Sequence, residues 1–420
     1  MITIHYFNPQ EGKVLQAKLN GLPISIPVDI RINRNHPEMD ENLKKFLAEL
    51  EKLVIRLGGK WEITHPSDRF SPQVGKNFLD VLLCDGVNPT EPDSITLEIL
   101  NEQHKSAWVL PMMPRAVIKT GPPTLTPPLN KQNIAFWDTS VEEMAATILA
   151  RAGVTTLDRR VFISYRRTET QPMADQLFDA LTRLNFSVFL DTVSINPGED
   201  FQARLFEQLA DKSMIVLLHS PDFSNSQWCM EEVKFARKYE LGLQILRLPG
   251  ASPKDLIYQY VSASNVVALK ESNLSDYSPG YQFKLENQEL ERLVKFIMLI
   301  HDASMVRRLQ LIRNKIDHAI QSAKLLPIYS ENGAYISTNI NGKSYSLFPS
   351  PRPPGLKELF DAGSRTTEDV GSKRIVIGQT ANMHSTRKQQ LDWAVNGSPV
   401  TYENIFNLTD LLNDMKEGKR

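Results

Sequence analysis

From Val161 onward, short apolar runs alternate with amphipathic helical stretches, and this spacing constrains the fold more than any other feature of the chain. Val161-Phe162-Ile163-Ser164-Tyr165 is a buried-strand pattern that ends in small and polar residues, followed by Arg166-Arg167. A helix comes next, with Met173, Leu177, Phe178, Leu181 and Leu184 on one face. The strand Ser187–Leu190 is closed by Asp191, and a loop over Thr192–Glu199 contains Pro197-Gly198. The helix that opens at Glu199 is expected to bury Phe201, Leu205, Phe206 and Leu209. Met214–Leu218 is apolar throughout, as a strand covered on both faces should be. This alternation predicts an α/β fold with a doubly wound parallel sheet. Such sheets bind ligands beyond the carboxyl ends of their strands, where Ser164, Tyr165, Arg166 and Asp191 lie.

At 420 residues the chain is long enough for two or three domains. The stretch 1–153 reads as an N-terminal α/β layer domain. Its strands are Ile2–Phe7, Val81–Cys84, Ala107–Met112 and Ile134–Trp137. One helix carries Leu43, Phe46, Leu47, Leu50, Leu53, Val54 and Leu57 on one face and is stopped by Gly58-Gly59. A second starts at Ser140 with a capping box to Glu143 and ends near Gly153. Five prolines between Pro114 and Pro128 favour an extended loop. The informative domain is expected over 158–303. A helical connector, from Tyr281 to about Leu325, leads into a small C-terminal α+β region within 304–420. There Asn341-Gly342 reads as a hairpin turn and Pro349–Gly355 as a linker. Strand Ile375–Gly378 and helices near Ser385–Val395 and Asn407–Met415 complete the chain.

A formal charge of −1 gives no global pull toward nucleic acid. Arg307, Arg308, Arg313 and Lys315 make a local basic stripe, read as a solvated face with a nucleic-acid contact as the alternative. Cys84 and Cys229 are too few and too far apart for a disulfide framework or a cysteine zinc site. The histidines show no ligand spacing, so neither a metal nor a resident cofactor is expected. The N-terminus lacks a signal-peptide pattern, and the longest apolar runs fall far short of the roughly 20 residues that span a bilayer. A cytoplasmic protein without membrane contact is the expectation.

Three segments then resemble one family in order and spacing. Val161-Phe-Ile-Ser-Tyr-Arg-Arg167 looks like the opening strand of TIR (Toll/interleukin-1 receptor) domains. Phe189-Leu-Asp191 and the loop through Pro197-Gly198 resemble their second strand and mobile loop. Leu217 to Glu232, containing His219-Ser-Pro221 and Trp228-Cys-Met-Glu-Glu232, is similar to their third strand and third helix. The resemblance covers about a third of the chain and implies a flavodoxin-like parallel sheet.

In NAD-cleaving TIR domains a glutamate four residues after the tryptophan of a Trp-Cys pair is catalytic, and here that position is Glu232. Trp228 and Glu232 share a helix face, while Glu231 is turned about 100° away. Ser164, Tyr165, Arg166, Asp191 and Trp228 are the expected substrate contacts. Each has a plainer alternative. A helical glutamate alone is ordinarily a solvated residue, and Trp228 could pack in the core. Cys229 could be a small buried hydrophobe, Arg166 and Arg167 surface charges, and Asp191 a turn cap. His219-Ser220-Pro221 and Ser224-Asn225-Ser226 read as a polar crest of the pocket or as turn residues. No G-x-G-x-x-G loop occurs, which argues against a Rossmann dehydrogenase.

The resemblance implies a NAD⁺ glycohydrolase or cyclase, with NAD⁺ as substrate and not as cofactor. It further implies an immune, antiphage effector switched on by homo-oligomeric self-association, with the flanking regions as sensor or oligomerisation parts; a regulatory protein partner stays open. The rivals are a non-enzymatic TIR adaptor and a nucleotide-binding sensor that leaves its ligand intact.

Overall fold

A computed structural model describes residues 2–8, 11–20, 28–64, 77–102, 107–120, 124–137, 141–152, 158–190, 201–275, 284–329, 335–364, 373–381 and 383–419. The chain divides into two compact units, Met1–Leu157 with Tyr329–Tyr335, and Asp158–Ile328 with Ile336–Arg420.

The first unit is built on β1 (Ile2–Asn8), β2 (Lys13–Asn20), β3 (Val28–Arg34), α1 (Asp40–Arg56), β4 (Lys60–Thr64), β5 (Asn77–Leu83), α2 (Ser94–Glu102), β6 (Ala107–Met113), α3 (Arg115–Thr120), β7 (Ala135–Phe136) and α4 (Val141–Arg151). The sheet order is β4-β2-β1-β3-β5-β6-β7. β1, β3, β5, β6 and β7 are mutually parallel and run in chain order, with the antiparallel β2 and β4 added at one edge. Helix α1 buries Leu43, Phe46, Leu50, Leu53 and Val54, as its periodicity predicts. Gly58 ends it at φ +88, a left-handed conformation that glycine adopts without a Cβ penalty. The Ser140 cap of α4 lies outside the described residues.

Sequence periodicity missed β2, β3, β4 and α2, and the stretch Pro114–Pro128, expected to be an extended loop, contains helix α3, which starts just after Pro114 and ends before the next prolines. For β3 the reason is visible: Asp29 and Arg31 interrupt its apolar run, yet both are buried. Arg31 stands in register with Asp80 on β5. Its guanidinium donates to Asp80 Oδ1 (2.8 Å) and Oδ2 (2.6 Å), to both oxygens of Asp93 (2.8 and 3.0 Å) and to Thr96 Oγ1 (2.8 Å). The Thr96 hydroxyl in turn lies 2.7 Å from Asp80 Oδ2 and 2.9 Å from Asp93 Oδ1.

The second unit opens with a fully parallel sheet. Its elements are β8 (Arg160–Ser164), α5 (Arg167–Arg183), β9 (Ser187–Phe189), α6 (Phe201–Asp211), β10 (Met214–His219), α7 (Gln227–Lys238), β11 (Gly242–Arg247) and β12 (Val266–Ala268). The order β12-β11-β10-β8-β9 places the second strand on the opposite side of the first from the rest, the flavodoxin-like arrangement. Phe162, Ile215, Leu217, Leu243 and Ile245 project to one face, where Leu205, Leu209, Cys229, Val233 and Ala236 cover them. The expected α/β class with a central parallel sheet is what the chain forms. Strands β11 and β12 were not read from sequence, because Gly242 and Gln244 break the apolar run of the first and the second is only three residues long. The loop Thr192–Glu199, Glu199 itself and the side chain of Phe201 lie outside the described residues.

The rest of this unit comprises α8 (Asn287–Ser322), β13 (Ile336–Ile340), β14 (Lys343–Pro349), α9 (Leu356–Ser364), β15 (Lys373–Gly378), α10 (Ser385–Val395), β16 (Val400–Asn404) and α11 (Leu408–Lys416). Helix α8 runs without interruption for 36 residues. Ile312, Ile316 and Ile320 of its C-terminal half share a core with Ile336, Leu347, Ile375, Leu408 and Leu412. The predicted hairpin is present between β13 and β14, with Asn341 at φ 51 and Gly342 at φ 78, as a two-residue primed turn requires.

Two expectations for this part are corrected. Pro349–Gly355 is not a linker: Arg352 is buried, donates to the Asp158 carbonyl (3.2 Å) and pairs with the Asp158 carboxylate (3.0 Å). Asp158 also pairs with Arg160 (2.6 Å), and Asp211 bridges Arg160 (2.6 Å) and Arg387 (2.9 Å). Proline content hides such a segment from pattern reading, because its order comes from ion pairs distant in sequence. The basic stripe on α8 is a solvated face only in part: Arg307 is exposed, but the others are not free surface charges. Arg308 is buried and donates to the Lys212 carbonyl (3.1 Å), and Lys315 pairs with Glu240 (2.8 Å).

Candidate functional site

The carboxyl ends of β8 and β10 and the first turns of α5 and α7 supply the residues expected to act together. Ser164 ends β8, opposite Leu217 on β10, and is 1% exposed. Its Oγ meets no hydrogen-bond partner among the described residues. Tyr165 is buried, and its hydroxyl donates to Gln171 Oε1 on α5 (3.0 Å).

Helix α7 starts at Ser226, whose hydroxyl accepts from the Cys229 backbone N–H (3.4 Å). Cys229 Sγ reaches the Tyr165 carbonyl (3.6 Å), which fixes the first turn of α7 against the end of β8. Cys229 is the small buried residue of its plainer reading. Glu232 lies one turn later on the same inner face and is 7% exposed. Glu231 points away and pairs with Lys234 (2.7 Å) on the outer face. Two adjacent carboxylates are thus sorted by helical phase, one inward and one outward. Trp228 begins the same turn at 48% exposure, so the core-packing alternative falls for this side chain.

Arg166 stands at the residue before α5, without a side-chain cap bond, and is held by two carboxylates, Asp222 at 2.8 Å and Glu169 at 3.4 Å. The hydrogen bond to Asp222 is the main reason its pKa lies above the ordinary arginine value. Ser220 also bonds to Glu169, which ties the turn after β10 to α5. Any phosphate approaching Arg166 meets a guanidinium already engaged by these two carboxylates. Asp191 and the Pro197-Gly198 loop lie outside the described residues.

Sequence reasoning did not single out Glu169 and Asp222, which set the direction of Arg166, nor Asp255 and Tyr258, which hold His219. The His219 ring, fully buried at the end of β10, contacts Asp255 Oδ2 through Nε2 (2.7 Å) and the Tyr258 hydroxyl through Nδ1 (2.8 Å). Burial pushes its pKa below the ordinary 6.5, with Asp255 opposing. Ser224 donates to the same Asp255 oxygen (2.9 Å). His219-Ser220 and Ser224 therefore organise the turns around the strand end. No sequence signal links His219 to Asp255, since 36 residues separate them.

Among the described residues, His36, Glu38 and Asp85 in the N-terminal unit bring possible metal-ligand atoms within 4.8 Å of one another. Asp85 Oδ1 already accepts from Asn35 Nδ2 and from the backbone of Val87 and Asn88, bonds that draw its pKa down to about 2 against the effect of burial. This is the hydrogen-bonding pattern of a turn, and it uses most of the carboxylate's accepting capacity. Among the described residues no helix is long and apolar enough to cross a membrane.

Comparison with known proteins agrees with the geometry of the parallel sheet. The family model for the TIR domain matches residues 161–278. The probable 2′ cyclic ADP-D-ribose synthase BdTIR of Brachypodium distachyon is 30% identical over 74 residues, which is 17% of this chain and 33% of that protein. The TIR domains in the structure of the activated Roq1 resistosome directly recognizing the pathogen effector XopQ match at 24% identity, covering 22% of this chain and 58% of theirs with a TM-score of 0.21. The matched parts thus span less than two thirds of either relative. With its 2-1-3-4-5 sheet and the matched segment together, residues 161–278 of this chain are a TIR domain.

Proposed function

We propose that the TIR domain cleaves the nicotinamide–ribose bond of NAD⁺, with Glu232 as the carboxylate that stabilises the reacting sugar. The observation that carries this reading is the placement of Glu232. It is buried on the inner face of α7, one turn from the Cys229 contact to the end of β8, while Glu231 faces outward and is neutralised by Lys234. Similarity to a protein named as a probable 2′ cyclic ADP-D-ribose synthase supports the same substrate class.

The chemistry suits a single carboxylate. Nicotinamide is positively charged in NAD⁺ and leaves without a proton donor, so the barrier lies in the oxocarbenium-like ribosyl transition state. A carboxylate in a water-poor site stabilises that developing charge. On this reading Ser164, buried at the strand end with its hydroxyl unpartnered among the described residues, contacts the ribose. The half-exposed Trp228 offers a flat wall, and Arg166 lies where a diphosphate would compete with Asp222 and Glu169. Attack by water yields a hydrolysis product; attack by a hydroxyl of the same molecule yields a cyclic one. Self-association of TIR domains, with an immune, antiphage role, belongs to the same proposal.

The test is NAD⁺ turnover by the full chain at high protein concentration and under crowding, with products separated. Release of free nicotinamide supports the proposal, and the second product distinguishes hydrolysis from cyclisation. Intact NAD⁺ in a chain shown to be assembled would instead favour the adaptor or sensor reading.

A further inference from the structure

At the other end of the same unit, α7, α8 and the carboxyl ends of β15 and β16 enclose a narrow cleft, about 310 Å³ counted to its open mouth. The cleft is narrow throughout. Three cationic side chains line the cleft, Arg308, Lys315 and Lys238, against one carboxylate, Glu240.

Arg308 is 4% exposed, and among the described residues its hydrogen bonding is limited to the Lys212 carbonyl, with no carboxylate in ion-pair range. Burial draws its pKa down to about 10. A buried guanidinium without a counterion is costly, and such groups are ordinarily paired. Gln379 follows β15, is 5% exposed, and its Nε2 has no acceptor among the described residues. One buried donor, Gln379 Nε2, therefore lacks an acceptor at a cleft that also holds a buried guanidinium bonded only to a backbone carbonyl among the described residues, while Lys238 and the Glu240-bound Lys315 add positive charge at its edge. Phe406, 55% exposed, forms part of the rim beneath Lys315, whose Nζ lies 5.4 Å from the ring centroid.

We propose that this cleft binds a phosphate group, its oxygens accepting from Arg308 and Gln379 and facing Lys315 and Lys238. The donors come from α7, α8 and the end of β15, so they converge from several directions. A tetrahedral oxyanion answers that arrangement better than a planar carboxylate, and the guanidinium fork suits phosphate oxygens. The carboxyl ends of parallel strands are also where α/β sheets ordinarily bind ligands. The open mouth admits either the free anion or the head group of a phosphate monoester.

The full chain is titrated with inorganic phosphate and with adenosine 5′-monophosphate, with adenosine as control, at constant ionic strength, by calorimetry and by melting temperature. The expected result is saturable binding of both phosphate-bearing probes, a higher melting temperature, and no effect of adenosine. Lys238→Glu, an exposed change that leaves the fold intact, weakens binding at least tenfold. Gln379→Glu supplies its own acceptor, so the variant melts higher than wild type without phosphate and gains nothing from adding it. Glu232→Gln binds phosphate as wild type does, which separates this cleft from the TIR site. Absence of saturable binding, or unchanged affinity in both cleft variants, would overturn the proposal and leave a water-filled seam.

Discussion

In the N-terminal unit the buried guanidinium of Arg31 is answered on all sides by Asp80, Asp93 and Thr96. In the TIR domain the buried hydroxyl of Ser164 meets no partner among the described residues. Both groups sit on parallel strands covered by helices, but Arg31 is mid-strand in β3 and Ser164 is the last residue of β8. At Arg31, mid-strand where no ligand reaches, the protein itself supplies the partners. At the carboxyl end of a strand the same group can be left for a ligand to complete. Between Arg31 and Ser164 position along the strand, rather than burial alone, marks the difference; the mid-strand Gln244, buried with neither amide atom partnered among the described residues, does not follow it.

That contrast is broken most severely at Arg31. Arg31→Met leaves the Asp80 carboxylate, 0% exposed, without its main counter-charge. The expected loss is about 3–5 kcal/mol. Chemical denaturation followed by hydrogen exchange of β3 and β5 localises the loss; a change below about 1 kcal/mol would mean that the network is not what holds this unit. Thr96→Val keeps the shape and removes one hydroxyl bonded to both aspartates, with an expected cost of about 1–3 kcal/mol in the same assay.

An acid shift acts on the TIR-containing unit. Burial holds His219 and His301 below the ordinary 6.5, so both favour the neutral form when folded. Above pH 7 neither affects stability. As pH falls through 6.5 toward 5 the unfolded chain takes up protons that the folded chain resists, and stability declines by at most about 1.4 kcal/mol per pH unit for each histidine. Melting curves at pH 7, 6 and 5 check this; a rising melting temperature over that window contradicts neutral histidines. The smallest effect is expected at Ser164. Ser164→Ala breaks no described hydrogen bond and removes a buried, unsatisfied hydroxyl, so stability is expected to be unchanged or to rise by up to about 1 kcal/mol. It raises KM for the substrate, and the stability difference between Thr96→Val and Ser164→Ala measures the contrast directly.

The TIR sheet was legible wherever its strands are apolar and uninterrupted, as in Met214–His219, and its central helix motif placed Glu232 and Glu231 on different faces by phase alone. What periodicity could not show were strands carrying buried polar residues, β3 with Arg31 and β11 with Gln244, because a polar side chain breaks the apolar run; Arg31 is settled by partners distant in sequence. The same limit applied at the site. Arg166 was readable as a cation at a strand end, but its engagement by Asp222 and Glu169 depends on how the turn after β10 meets α5. Arg352 and Arg308 were hidden for the same reason: ion pairing and burial overrode the look of a linker and of a solvated stripe.

The most direct test compares Glu232→Gln with Glu231→Gln in chains matched for folding and assembly, reading nicotinamide release from NAD⁺. The two residues are neighbours of the same chemical type, one buried against the site and the other half-buried on the outer face with Lys234. Glu231→Gln is expected to retain wild-type turnover. Glu232→Gln is expected to lose roughly 10²–10³-fold, the scale of removing one group that stabilises transition-state charge. Equal turnover by Glu232→Gln and wild type would contradict the assignment of Glu232.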